Sequence, residues 1–218
     1  MGSCFGAADG FSNEQFSVDI LPLSSWIERS GISKNDLKKF YKVFEELKEE
    51  ENHCRTIKIA AFLESTEIEF SQYAQRALQA RKNSGESLTF SAWVLGCWNY
   101  CTMDEIYLTE FAFSRYADDT DKIKNIMLSD VVRQILGKED IPKSLRETLD
   151  KFMDGKEEID FDTWLLINEE TPLLMAPCLD MQAKIKARVM SPKWWIKALE
   201  QRRGIGMDED VFAFLQSQ

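Results

Sequence analysis

Glu110-Phe111-Ala112-Phe113-Ser114-Arg115-Tyr116-Ala117-Asp118-Asp119-Thr120-Asp121-Lys122-Ile123 is the stretch whose reading decides the fold. It starts on helical spacing, with Leu108, Phe111, Ala112, Phe113 and Tyr116 recurring every three to four residues. It breaks at the acidic turn Asp118, Asp119 and Asp121, touches one apolar residue, Ile123, and enters another helical run from Leu128 to Gly137. The same order surrounds Ile57 in Thr56-Ile57-Lys58-Ile59, Leu88 in Ser87-Leu88-Thr89-Phe90 and Ile159 in Glu158-Ile159-Asp160-Phe161. Each of these is a brief alternating stretch, too short for an ordinary strand, that runs directly into a helix. The four apolar pivots are separated by 31, 35 and 36 residues. A helix pair repeated at such a period cannot bury its apolar face alone, so the units are expected to pair.

Helical spacing extends in both directions. Asp36 to Glu49 puts Leu37, Phe40, Tyr41, Phe44 and Leu47 on one face, and Ser144 to Met153 does so with Leu145, Leu149, Phe152 and Met153. Pro142 and Pro192 read as first-turn residues, the latter behind a Ser191 cap. The 218 residues suit one domain or two small ones and can bury a core without disulfide or metal. A net charge of -10 argues against a general nucleic-acid binder. Apolar runs such as Ala92 to Cys97 fall far short of the ~20 residues that span a bilayer. Met1 to Gly10 lacks the basic start and apolar run of a signal peptide. The five cysteines (Cys4, Cys54, Cys97, Cys101, Cys178) are odd in number and form no CxxC pair, which fits a reducing compartment. The single histidine, His53, limits Ser-His-Asp and Cys-His chemistry, and no phosphate-binding glycine motif is present. The expectation is a soluble, acidic, cytoplasmic protein that is not an enzyme.

These residues carry a resemblance. The pattern resembles the EF-hand superfamily, of the calcineurin-B and neuronal-calcium-sensor type, over roughly residues 33–168. Leu88-Thr89-Phe90-Ser91-Ala92-Trp93-Val94-Leu95-Gly96 is similar to the end of a second hand. Glu110 to Tyr116 resembles the helix entering a third, Leu128 to Gly137 the helix leaving it, and Ile159 to Trp164 the fourth. The resemblance implies an all-α fold: two pairs of helix-loop-helix units with short β contacts between loops, plus C-terminal helices. The expected organisation is an N-terminal arm over 1–32, pair one over 33–104, pair two over 105–170 and a helical tail over 171–218. Thr171 to Pro177 resembles the proline-leucine link after the fourth hand in some sensor-like proteins.

The loops depart from the family. A calcium loop needs oxygen ligands at positions 1, 3, 5, 7 and 9 and a bidentate glutamate at 12. Placing Leu88 at position 8 puts Arg81 at 1 and Ala92 at 12; placing Ile159 there gives Phe152 and Thr163. The first loop holds His53 and Arg55 and ends on Ala61. The third keeps Asp118, Asp119 and Asp121 as metal candidates, but it is one residue short and ends on Met127. With no closing carboxylate, no tight calcium site is expected and no cofactor is assigned.

Both ends carry signals of their own. Met1-Gly2-Ser3-Cys4-Phe5-Gly6 resembles an N-myristoylation start, with Gly2 as acceptor and Cys4 open to palmitate, although Gly6 replaces the usual serine or threonine. Such a lipoprotein would touch membranes peripherally. Residues 184–203 carry seven basic side chains against Glu200, a net of +6 that leaves −16 for the rest. Trp194, Trp195, Ile196 and Leu199 give this basic helix an apolar side, and Phe212 and Leu215 follow beyond it.

Three functions follow as expectations: a non-catalytic EF-hand adaptor that holds an amphipathic helix of a protein partner without calcium, a structural component of a cytoskeletal or ciliary assembly, and a weak calcium sensor using the third loop. In sensor-type relatives opened hands expose an apolar groove. Without calcium that groove must stay filled, since soluble monomers avoid large apolar patches. The tail, through Trp194, Trp195, Ile196, Leu199, Phe212 and Leu215, is expected to fill it near Trp93, Trp98, Phe113 and Trp164.

Overall fold

The computed structural model describes residues 13–51, 54–79, 85–207, 210, 211 and 213. The chain is mostly helical. In order run α1 (Asn13–Asp19), α2 (Ser24–Ser30), α3 (Lys34–Leu47), β1 (Glu49–Glu51), β2 (Cys54–Lys58), α4 (Ile59–Ser65), α5 (Gln72–Leu78), β3 (Ser87–Thr89) and α6 (Phe90–Cys101). Then come α7 (Glu105–Ser114), β4 (Ile123–Lys124), α8 (Asn125–Leu136), α9 (Lys143–Met153), β5 (Glu158–Ile159), α10 (Phe161–Glu170), α11 (Ala176–Val189) and α12 (Pro192–Ile205).

The four apolar pivots meet two by two. Ile57 pairs with Leu88 in the antiparallel β2–β3 contact, and Ile123 with Ile159 in β4–β5. All four are buried. The contacts stay short because the chain turns helical at once. Thr89 and Asp160 each follow a pivot and cap the next helix, accepting hydrogen bonds from the amides of Ala92 and Thr163. Ser33 and Asp36 form a reciprocal capping box on α3.

Four features differ from the sequence expectation. α3 ends at Leu47, and Glu49 joins β1 instead, pairing opposite Thr56, while its carboxylate meets Lys58 at 2.8 Å. Cross-strand charge pairing favours the hairpin over further helix at this row of glutamates. Pro142 stands one residue before α9, and Ser191 precedes Pro192 without a side-chain capping bond. From Asn13 onward the segment expected as an arm is helical, and it buries Phe16, Ile20, Leu23, Trp26 and Ile32.

α6 is the axis of the molecule. Every residue from Phe90 to Cys101 except Ala92 is buried, as an apolar run on all sides of a helix requires. α11 crosses its C-terminal end. There the Gln182 amide donates to the Tyr100 and Met103 carbonyls at 2.8 and 3.0 Å, and Tyr100 Oη donates to the Cys178 carbonyl at 2.9 Å. The last carbonyls of a helix have no partner within it, so one side chain of α11 closes α6 and holds the link into α7. Among the described residues no helix is long and apolar enough to cross a membrane.

Candidate functional site

Two regions carry the expected site residues: the loop pair β4–β5, and the apolar cluster that α12 covers.

In the third loop Asp118 serves the chain itself. Its Oδ1 accepts from the Thr120 amide at 2.9 Å and the Thr120 hydroxyl at 2.6 Å, and the Asp118 amide donates to the Lys122 carbonyl at 2.9 Å. These bonds hold its exposed carboxyl below the usual range, with Lys124 adding to them. Asp121 closes the turn in the left-handed region at φ 56°, and its amide donates to the Asp118 carbonyl. The five-residue turn is tighter than a twelve-residue cation loop. Asp118, Asp119 and Asp121 therefore form an exposed turn, and among the described residues no three His, Cys, Asp or Glu side chains converge to hold a metal ion. Met127, at the closing position, is 48% exposed.

Two lysines make polar contacts between and within these loops. Lys122 pairs with Glu158 across β4–β5, which raises its pKa. In the fourth loop the Lys156 ammonium approaches the hydroxyl of Thr163, the residue at that loop's closing position, at 3.4 Å. Asp160 is held below the ordinary carboxylate range, first by its bonds to Thr163 and also by Lys156. Asn125 locks the two loops together, its amide donating to the Glu157 carbonyl and its side chain to that of Lys156.

The four expected groove residues are all buried in the one hydrophobic core. Trp93 packs with Phe40, Phe44, Phe62 and Phe90, while Trp98 meets Trp26 edge-on at 5.4 Å. Phe113 lies 6.0 Å from Trp164 and 5.8 Å from Phe161. α12 reaches Phe40 and Trp98. Trp194 and Trp195 stack edge-to-face on Phe40 at 5.7 and 6.4 Å, and the Arg202 guanidinium lies 5.4 Å over Trp98. Among the described residues no ring contact joins α12 to Phe113 or Trp164. Among the described residues the indole N–H groups of Trp26, Trp93, Trp98 and Trp164 have no hydrogen-bond acceptor.

The buried stripe of α12 is Trp195, Ala198 and Arg202, with Trp194 and Leu199 half-buried. Ile196, expected as an anchor, points outward and is 63% exposed, because it lies about 100° around the helix from Trp195. Phe212, Leu215, Gly2, Cys4, His53 and Arg81 lie outside the described residues. The backbone beyond α12 turns back, with Arg202 donating to the Met207 carbonyl at 2.6 Å and Val211 buried.

Sequence reasoning missed two polar centres. Arg55 pairs with both Asp19 and Glu45 and also donates to Tyr41, tying α1 to α3. Gln182 was readable as the one amide in the apolar stripe Cys178, Met181, Ile185 and Val189. Burial pushes the Cys178 thiol up to about 12 and raises Cys97 and Cys101 as well. No family model matches the chain, and no curated protein matches it.

Proposed function

We propose that this chain is a non-catalytic, EF-hand-like interaction subunit whose helix-loop-helix pairs stay assembled without calcium and whose helix-binding faces its own helices fill. The observation that carries the reading is the pairing of the four loop pivots, Ile57 with Leu88 and Ile123 with Ile159, beside loops in which Lys122 pairs with Glu158 and Lys156 approaches Thr163. A sensor spends calcium binding energy to expose apolar surface. Here Trp93 and Trp98 are already covered, by Phe40, Trp26 and the α12 residues stacked on them. Partner binding then depends on surface outside that core.

Affinity purification of the tagged full chain, in calcium and in excess chelator, tests the reading. The expected result is one stoichiometric protein partner retained equally in both. A partner retained only with calcium would overturn it, as would turnover lost on mutation of any buried side chain named above.

A further inference from the structure

α11 and α12 follow one another through Met190 and Ser191, and the seam between them is open. A groove of about 380 Å³ runs along it, within the ~300–1,000 Å³ typical of binding pockets. Its lining combines the buried Met190 and Trp195 with the exposed Ala183, Ala187 and Ile196 and the half-buried Leu199. Trp195 is held in place, because its Nε1 donates to the Lys186 carbonyl at 2.9 Å and the ring meets Trp194 edge-on at 4.7 Å. Ile196 stands 63% exposed.

The charge around this groove is mainly positive, with Glu200 beside Leu199 and Asp180, which pairs with Lys184, one turn before Ala183. Lys186 is the one titratable residue that lines it, and no carboxylate does. Lys193 and Lys197 flank Ile196 on the exposed side of α12 and make no ion pair among the described residues; the acidic side chain nearest in the helix, Glu200, is one turn further on. The groove sits within the +6 segment of a chain whose remainder is −16. A complementary occupant therefore brings carboxylates. Shape separates the two kinds of acidic occupant. A concave seam admits a convex cylinder about 10 Å across, whereas a flat anionic bilayer would touch a single protruding apolar side chain, Ile196.

We propose that the α11–α12 groove docks an amphipathic helix of a partner protein, with an apolar stripe flanked by Asp and Glu. This deepens the interaction-subunit reading and rests on it. The probes are two synthetic helical peptides of about five turns, identical in their leucine stripe, one flanked by glutamates and the other by lysines. Binding to the full-length chain is followed by fluorescence anisotropy in about 0.15 M salt. The acidic peptide is expected to bind saturably. Ile196→Asp and the pair Lys193→Glu, Lys197→Glu should each weaken it roughly tenfold or more. All three positions are exposed, so these variants should keep the native helical signal. Absence of saturable binding, equal binding of both peptides, indifference to Ile196→Asp, or sedimentation with phosphatidylglycerol vesicles instead would overturn the proposal. So would concentration-dependent dimers abolished by the same variants. If Ile196→Asp retains the co-purified partner in chelator, the groove assignment fails and the interaction-subunit reading stands.

Discussion

Gly96 sits in the middle of α6, where α5 comes to its end, and changing it to alanine sets two effects of known size against each other. A Cβ at Gly96 would lie 2.7 Å from the Leu78 carbonyl oxygen and 3.5 Å from the Leu78 carbonyl carbon. Both are backbone atoms, so no rotamer change relieves the clash and α5 must move by several tenths of an ångström. Helix propensity favours alanine by ~0.5–1 kcal/mol. Overpacking a tight interior costs ~1–3 kcal/mol. The clash therefore wins, leaving Gly96→Ala about 1–2 kcal/mol less stable, a drop of roughly 2–8 °C in Tm for a chain of this size. Gly204→Ala is the control. It lies in the last turn of α12, a Cβ there meets nothing within 4 Å, and a gain of up to ~0.5 kcal/mol is expected. Urea unfolding followed by tryptophan fluorescence and by helical circular dichroism reads both. If Gly96→Ala proves as stable as the parent, the α5–α6 approach, and with it the geometry around the second loop, is wrong.

Calcium added to ~1 mM should leave the tryptophan fluorescence and amide spectrum unchanged, and a saturable change below ~10 μM, the sensor range, would refute the reading of Asp118 and Lys122. The buried thiols make stability fall as pH rises. Below the ordinary thiol pKa of ~8.5 both states stay protonated, and above it the unfolded chain alone loses protons, at about 1.4 kcal/mol per pH unit per thiol. Because burial holds Cys178 up to about 12, the urea midpoint should decline between pH 9 and 11, and Cys178→Ala should flatten that slope by one thiol's share; an unchanged slope excludes the mechanism. Ending the chain at Met190 uncovers Phe40 and Trp98, so dye binding should rise and Tm fall, whereas a truncated protein matching the full chain in both assays would make α12 a free arm.

What the sequence disclosed follows from which forces are local. The pivots Ile57, Leu88, Ile123 and Ile159 were legible because alternation, a capping residue and the next helix all lie within a few positions of each. The packed N-terminal helices were not. α1 and α2 are seven residues each, divided by the turn at Pro22, so neither shows enough periods of its apolar spacing to stand out from an arm. The phase of α12 was hidden for a different reason. Trp194, Trp195 and Ile196 are consecutive, three neighbours on a helix cannot face one way, and Phe40 on a distant helix decides that Ile196 faces out. Gln182 stood out as an amide in an apolar stripe, but the carbonyls it satisfies, about eighty residues away in sequence, did not.

On the proposed reading, the loss of calcium chemistry and the covering of the apolar faces depend on one another. A loop without a closing carboxylate gains little from a cation and so has little energy with which to drive helices apart. Apolar side chains that a sensor hides until calcium arrives must then be covered permanently. The chain does this with segments on either side of the four units: Trp26 from α2 against Trp98, and Trp194 and Trp195 from α12 against Phe40. Restoring a carboxylate at one loop position alone, Met127→Glu for example, should therefore not restore a switch. Even a loop that regained calcium would have to displace Trp195 and Arg202, whose burial couples them to the fully buried Trp93–Trp98 core rather than to the exposed turn at Asp118.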